Sequence, residues 1–152
     1  MDVGTTGIRP ARPGDAAPAQ ALLRETGLPL DGFADHIADA LVAEREARLV
    51  GVVELELHEG AALLRSLAVE PAERGRGTGE RLVSEAMALA ARRGIRDVYL
   101  LTETAARFFP RFGFVVASRE DAPDAIRSSV EFRVACAVSA VLMHARTEGG
   151  RT

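Results

Sequence analysis

Lysine is missing from this chain of 152 residues, so that all 19 basic residues are arginines. They are spread along the sequence and the formal net charge is −3, which argues against nucleic acid as the main partner. The single cysteine, Cys136, excludes an internal disulfide. One cysteine and three scattered histidines offer no ligand spacing for a metal, so we expect no metal site.

Long hydrophobic runs are missing as well. No apolar segment approaches the roughly 20 residues that span a bilayer, and the amino terminus shows no basic region followed by an apolar core. These features predict a cytoplasmic protein that does not bind membranes. The composition, 47% hydrophobic and 27% charged, is typical of one globular domain, residues 1–152, with loose ends at 1–7 and 147–152.

Hydrophobic periodicity divides the chain into strands and helices. Apolar residues alternate or run continuously in the predicted strands, which are 8–11, 41–44, 47–57, 61–69, 97–102, 114–118 and 139–145. Helical spacing marks the predicted helices, which are 18–27, 33–37, 77–93 and 105–112. Asp15 is the expected N-cap of the first helix, and residues 119–135 are expected to be irregular. This order of elements predicts an α+β fold, a sheet flanked by helices.

Three glycines precede the longest helix, in a stretch that we call the glycine loop (residues 74–79). Glycine lets the backbone approach a bulky partner, and the helix directs unsatisfied N–H groups and its positive dipole end at the loop. Such a junction favours phosphate. The spacing Arg74-x-x-Gly77-x-Gly79 after a strand ending Leu67-Ala68-Val69 resembles the acetyl-CoA pyrophosphate loop of the GNAT N-acetyltransferase superfamily.

A second segment carries the same resemblance. Thr102 to Phe114 is similar to the GNAT ending Asn-x-x-Ala-x-x-Phe-Tyr-x-Lys-x-Gly-Phe, and the likeness extends over residues 8–145. It implies the GNAT fold, a mixed and mostly antiparallel sheet of about seven strands, splayed at a central parallel pair and flanked by about four helices. Acetyl-CoA would insert its pantetheine arm between strands 61–69 and 97–102, bonding to backbone groups of Leu67 and Val69. The residues that the resemblance places against acetyl-CoA are Leu67, Ala68, Val69, Arg74, Gly75, Arg76, Gly77, Thr78, Gly79, Glu80, Thr102, Ala105, Phe109 and Arg111.

The carboxyl-terminal part is similar to GNAT proteins associated with bacterial arsenic-resistance operons. The residues that carry this likeness include Arg119, Pro123, Ile126, Ser129, Glu131, Phe132, Cys136, Ser139, Ala140 and Met143. Members of that group usually have proline after the cysteine, where this chain has Ala137. The likeness implies a detoxifying enzyme that acetylates amines of small, amino-acid-like compounds.

The chain departs from the family pattern where the chemistry takes place. Phe109 stands where GNAT enzymes often have the tyrosine that protonates the leaving thiolate, and Thr102 replaces a frequent asparagine. Glu54 could deprotonate the ammonium through water if its strand face lines the cleft; the alternative is a solvated strand face. Thr102 could bond the CoA arm or relay a proton, or cap the turn at Ala105. Cys136 lines the active site or is buried as a small hydrophobic residue.

Arg65 is the leading candidate for substrate binding. A charged residue inside an apolar strand needs an anionic partner. Arg65 could clamp a substrate carboxylate, with Glu56 and Arg133 near it and Glu131 completing the pocket. The alternative is an internal pair with Glu54 or Glu56 on the adjacent strand.

The sequence thus predicts an acetyl-CoA-dependent N-acetyltransferase that acts on the amine of a small molecule. A CoA-binding module without turnover is the alternative, supported by the missing tyrosine, and protein N-terminal acetylation is a third hypothesis. Many GNAT proteins dimerise, so the resemblance also suggests a homodimer.

Overall fold

The computed structural model describes residues 5–128 and 140–147. Within these ranges the strands are β1 (Gly7–Pro10), β2 (Ala40–Arg45), β3 (Arg48–Leu57), β4 (Ala61–Val69), β5 (Asp97–Thr102), β6 (Val115–Val116) and β7 (Val141–Arg146). The α-helices of this part are α1 (Ala16–Glu25), α2 (Thr78–Arg92) and α3 (Asp124–Arg127). Short 3-10 helices cover Pro13–Asp15, Ala34–Asp39, Pro71–Glu73, Phe109–Phe112 and Arg119–Asp121.

The strands form a mixed sheet, which in the described residues has the order β1-β2-β3-β4-β5-β7-β6. Strands β4 and β5 are parallel, paired from Ala61↔Asp97 to Leu63↔Tyr99. The pairs β1–β2, β2–β3, β5–β7 and β6–β7 are antiparallel. The predicted α+β class, with about seven strands and a central parallel pair, is therefore confirmed.

The chain divides into two compact units. The first unit comprises Met1–Glu54 and Ser66–Ala86, and the second comprises Leu55–Arg65 and Met87–Thr152.

In the first unit, helix α1 supplies the core with apolar residues at helical spacing. Its buried side chains pack with residues of β2, β3 and β4 and with Phe33; this cluster consists of Ala19, Leu22, Leu23, Phe33, Val42, Val52 and Ala68. Gly51 on β3 is packed closely, since a Cβ there would lie 3.0 Å from Leu82 Cδ1 and 3.2 Å from Ala43 Cβ. The hairpin between β2 and β3 turns at Glu46 and Ala47, which both have positive φ, one residue later than the sequence predicts.

In the second unit, β5 is buried and pairs on both sides, as its apolar sequence predicts. Tyr99, the only tyrosine of the chain, is 8% exposed and lies in a core cluster. The members of this cluster are Ala61, Leu63, Tyr99, Ala122, Ile126 and Leu142.

Three local predictions need correction. The segment 119–135 is not wholly irregular, because a 3-10 helix and α3 lie in its described part and bury Ile126. The helix predicted at 105–112 is reduced to Phe109–Phe112, with Pro110 in its first turn and Gly113 ending it at φ 91°. Asp15 stands at the N-cap position of α1, but its carboxylate accepts the Arg12 N–H at 2.7 Å and pairs with Arg9 at 2.8 Å.

Candidate functional site

The glycine loop follows β4 through the 3-10 turn Pro71–Glu73 and runs into α2. Gly75 and Gly77 have φ values of 86° and 81°, which side chains with a Cβ rarely adopt. A Cβ at Gly75 would meet nothing within 4 Å, and the nearest atom to one at Gly77 is Glu80 Oε1 at 3.6 Å. Glycine is required here by the backbone conformation, and the loop keeps open space beside it for a ligand.

Two arginines of the loop are exposed. Arg74 Nε donates to the Val69 carbonyl at 3.1 Å, which ties the loop back to the end of β4. The side chain of Arg76 is 52% exposed, and its Nε lies 3.9 Å from Glu73 Oε1. Their positive charges lie close to the start of α2, whose dipole also favours an anion.

The strand that leads into the loop contains an irregularity. Ser66, in the middle of β4, has a φ of 60°, an uncommon conformation for a residue with a Cβ in a strand. Such an interruption changes which way the following side chains point. After it, Ala68 is buried in the core of the first unit, whereas Leu67 and Val69 are half-buried.

A buried carboxylate lies next to the loop. Glu73 is 3% exposed, and its Oε2 accepts hydroxyl hydrogen bonds from Thr6 at 2.6 Å and Thr78 at 2.8 Å. Its Oε1 accepts from Arg45 Nε at 3.1 Å. Burial alone would raise the pKa of Glu73, but these hydrogen bonds outweigh it and lower the pKa below its ordinary value. Thr78, a predicted CoA contact, thus directs its hydroxyl at Glu73.

A buried ion pair lies in the second unit. Glu56 Oε1 is 3.2 Å from Arg65 Nη1, and the two side chains are 4% and 0% exposed. Glu56 Oε2 is 2.9 Å from Nε2 of the half-buried His58. For Arg65 this is the internal pair that the sequence offers as the alternative to a substrate clamp.

Glu54 is fully buried in the first unit. Because Glu56 is buried too, the solvated strand face considered for these two residues is wrong.

Thr102 ends β5 and caps the turn that follows it. Its Oγ1 accepts a hydrogen bond from the Ala105 N–H at 2.9 Å. This is the capping role that the sequence analysis gives as one alternative for Thr102. Phe109 is buried, with its ring 5.1 Å from that of Phe108 and 5.7 Å from that of Phe114. The Arg111 guanidinium lies over the Phe108 ring, 4.9 Å from its centroid.

Cys136, Arg133 and Glu131 lie outside the described residues. Among the residues that are described, no cluster of histidine, cysteine and acidic side chains is arranged to hold a metal ion. In the same described part of the chain, no helix has the length and hydrophobicity needed to cross a membrane.

Residues 36–116, just over half of the chain, match the family described as Acetyltransferase (GNAT) domain. The chain belongs to this GNAT family. The matched region includes β4, the glycine loop and Thr102, which carry the resemblance found in the sequence, and the predicted family is confirmed.

Two relatives by sequence support the same conclusion. The uncharacterized N-acetyltransferase CT2212 of Chlorobaculum tepidum is 31% identical over 98 residues, covering 64% of this chain and 63% of the relative. The amino-acid acetyltransferase of Neisseria meningitidis serogroup B is 30% identical over 129 residues, covering 79% of this chain and 30% of the relative. The GNAT chain therefore spans less than two thirds of either relative.

Solved structures show the same fold. One is N-acetylglutamate synthase from Neisseria gonorrhoeae, complexed with coenzyme A and N-acetyl-glutamate. Its TM-score is 0.80 at 24% identity, and the match covers 94% of this chain and 35% of the synthase chain. Rv2747 from Mycobacterium tuberculosis, in complex with CoA, has a TM-score of 0.79 at 20% identity, and the match covers 92% of this chain and 98% of the Rv2747 chain. The predicted GNAT fold is confirmed by these likenesses.

The sequence does not predict the role of Glu73, because its partners Thr6 and Arg45 are distant in sequence. His58 is predicted as a surface or hydrogen-bonded residue, and the structure pairs it with Glu56. His58 follows Glu56 by two residues on one hairpin, which is the spacing of side chains on the same strand face.

Proposed function

We propose that this GNAT domain, residues 1–152, is an acetyl-CoA-dependent N-acetyltransferase that acetylates the primary amine of a small molecule. The observation that carries the proposal is the open glycine loop with positive φ at Gly75 and Gly77, placed between β4 and α2 in a GNAT domain. The CoA in the gonococcal and mycobacterial structures supports acetyl-CoA as the co-substrate.

The loop suits the pyrophosphate of acetyl-CoA. Backbone N–H groups from Gly75 to Gly79 and the start of α2 would bind the phosphate oxygens, and the exposed guanidinium of Arg76 would add charge. Arg111, exposed over Phe108, is a further phosphate contact in this proposal. The backbone of Leu67–Val69 and the residues Thr102, Ala105 and Phe109 would bind the rest of the cofactor arm.

In the reaction, the neutral amine nitrogen attacks the thioester carbonyl carbon, the C–S bond breaks, the nitrogen loses one proton as the amide forms, and the CoA thiolate takes up one proton. We assign Glu54 the role of the base that first takes a proton from the ammonium group. Because the Glu54 side chain is fully buried, it would take the proton through water rather than by direct contact with the substrate. Phe109 cannot protonate the thiolate, so we assign this step to Thr102 or Cys136, or to water.

The acceptor in this proposal is an amino acid or an amino-acid-like toxic compound, as in the arsenic-resistance context that the sequence suggests. The similarity to an amino-acid acetyltransferase and to an N-acetylglutamate synthase supports an amino-acid acceptor. Arg65, Glu56 and Arg133 would form its binding site. Since Arg65 contacts Glu56, a substrate carboxylate bound there would compete with that pair.

A CoA-release assay across amino acids, arsenical analogues, other small amines and peptides tests the function. We expect thiol release with an amino acid or its analogue and none without an acceptor. CoA binding without release for any acceptor would contradict this function and favour the alternative, a CoA-binding module, which Phe109 in place of tyrosine supports. Release only with peptides would favour N-terminal protein acetylation.

The proposal includes a cytoplasmic location and a homodimer, as many GNAT proteins form. Sedimentation of the purified chain tests the dimer, and a monomer at assay concentrations would contradict it.

A further inference from the structure

The buried carboxylate of Glu73 connects three separate parts of the first unit. It accepts hydrogen bonds from Thr6, before β1, from Arg45, at the end of β2, and from Thr78, the first residue of α2. A second contact strengthens the connection, because Arg81 Nη1 on α2 donates to the Thr6 carbonyl at 2.7 Å. The glycine loop starts directly after Glu73, so both of its ends are held by this one side chain.

A negative charge in this place opposes the binding of a phosphate group. Coulomb repulsion between Glu73 and a bound pyrophosphate lowers affinity, whereas a loop held in its binding conformation raises affinity because less order is lost on binding. The two effects have opposite signs. Their balance is therefore measurable by removing the charge.

We propose that Glu73 is a positioning residue for the glycine loop, which fixes the loop and the first turn of α2 in the conformation that binds CoA pyrophosphate. The inference rests on the proposed function and adds a residue that does not itself touch the ligand. Three donors converge on the two carboxylate oxygens. Glutamine keeps the size of the side chain but loses the charge that pairs with Arg45, and its N–H₂ group can contact the two threonine hydroxyls only if these change from donors to acceptors, so it weakens the support of the loop.

Glu70 provides a matched control. It carries the same charge three residues earlier, and its carboxylate pairs with the exposed Arg48 rather than with the loop or α2. Glu70→Gln therefore removes one negative charge near the loop without removing its support. Repulsion alone predicts that both variants bind CoA slightly more tightly than the wild type.

The experiment measures CoA binding by calorimetry for the wild type, Glu73→Gln and Glu70→Gln, after circular dichroism has shown that each is folded. We expect Glu73→Gln to raise the Kd for CoA about ten-fold, which corresponds to about 1.4 kcal/mol, and Glu70→Gln to leave it unchanged or slightly lower. In turnover, the KM for acetyl-CoA should rise while kcat and the KM for the amine change little.

A milder pair keeps the test decisive if Glu73→Gln does not fold. Thr6→Val removes the hydroxyl that donates to Glu73, and Thr6→Ser retains it, so only the valine variant should weaken CoA binding. The inference is overturned if Glu73→Gln, or Thr6→Val in its place, binds CoA as tightly as its control. A wild type that binds no CoA would instead overturn the proposed function, and this inference with it.

Discussion

The Glu56–Arg65 pair allows a quantitative prediction. Both side chains are almost completely buried and 3.2 Å apart. Glu56→Gln removes the carboxylate charge and leaves the buried guanidinium facing a neutral amide. Breaking a buried ion pair on one side costs about 3–5 kcal/mol, against a total stability of about 5–15 kcal/mol for most proteins. We therefore expect this single substitution to remove a large part of the folding free energy.

The double variant separates the interaction energy of the Glu56–Arg65 pair from the effect of each single substitution. Arg65→Met alone should destabilise the protein comparably, whereas Glu56→Gln with Arg65→Met should lose much less than the sum, because neither member of the pair then keeps its charge without the other. Exposed pairs contribute little, so Glu70→Gln, which releases Arg48, should be close to wild type.

Urea unfolding followed by circular dichroism measures these differences, since the chain has no tryptophan and one tyrosine for fluorescence. With a slope of about 2 kcal/mol per molar urea, a loss of about 4 kcal/mol lowers the midpoint by about 2 M. A loss below about 1 kcal/mol for Glu56→Gln, or strict additivity in the double variant, would refute the reasoning.

Further predictions concern catalysis, packing and acid stability. Glu54→Gln should reduce turnover mainly at low pH, where the amine is most protonated, and an unchanged pH–rate profile would exclude Glu54 as the base. Gly51→Ala should lower the free energy of unfolding by about 1–3 kcal/mol, because the added methyl group would contact Leu82 and Ala43. Thermal unfolding measures this loss against the control Gly14→Ala, where a Cβ would have open space. Equal midpoints for the two variants would contradict the prediction. Because its pKa is lowered in the folded state, Glu73 contributes stability at neutral pH that is lost as the pH falls below its ordinary value of 4.5. Acid unfolding should thus show a flatter pH dependence in Glu73→Gln, and parallel curves would rule this contribution out.

Local patterns account for the parts of the fold that the sequence predicted well. Strands β3, β4 and β5 follow alternation or continuous apolar runs, and the glycine loop follows from residue types that a positive φ requires. Helix α3 was missed because four residues are too few to show a helical period. Residues 105–112 were overestimated as a helix, since Pro110 restricts the backbone there.

The candidate site was predictable only where it is local. The Arg65–Glu56 pair was foreseen as an alternative because the two strands are joined by a short hairpin. Glu73 was not foreseen, since its partner Thr6 lies 67 residues away and no periodicity connects them. The burial of Glu54 was not foreseen either, because an acidic residue in an alternating strand usually faces water.

Every ion pair described here that uses a long basic side chain uses arginine, from Arg45 beside Glu73 to Arg65 beside Glu56. The chain therefore displays no side-chain amine of the kind that an acetyl donor modifies. A protein that holds a reactive thioester is exposed to its own reagent, and here no lysine side chain is available to react with it. The primary amine that the proposed acceptor carries is thus absent from the side chains of the protein itself.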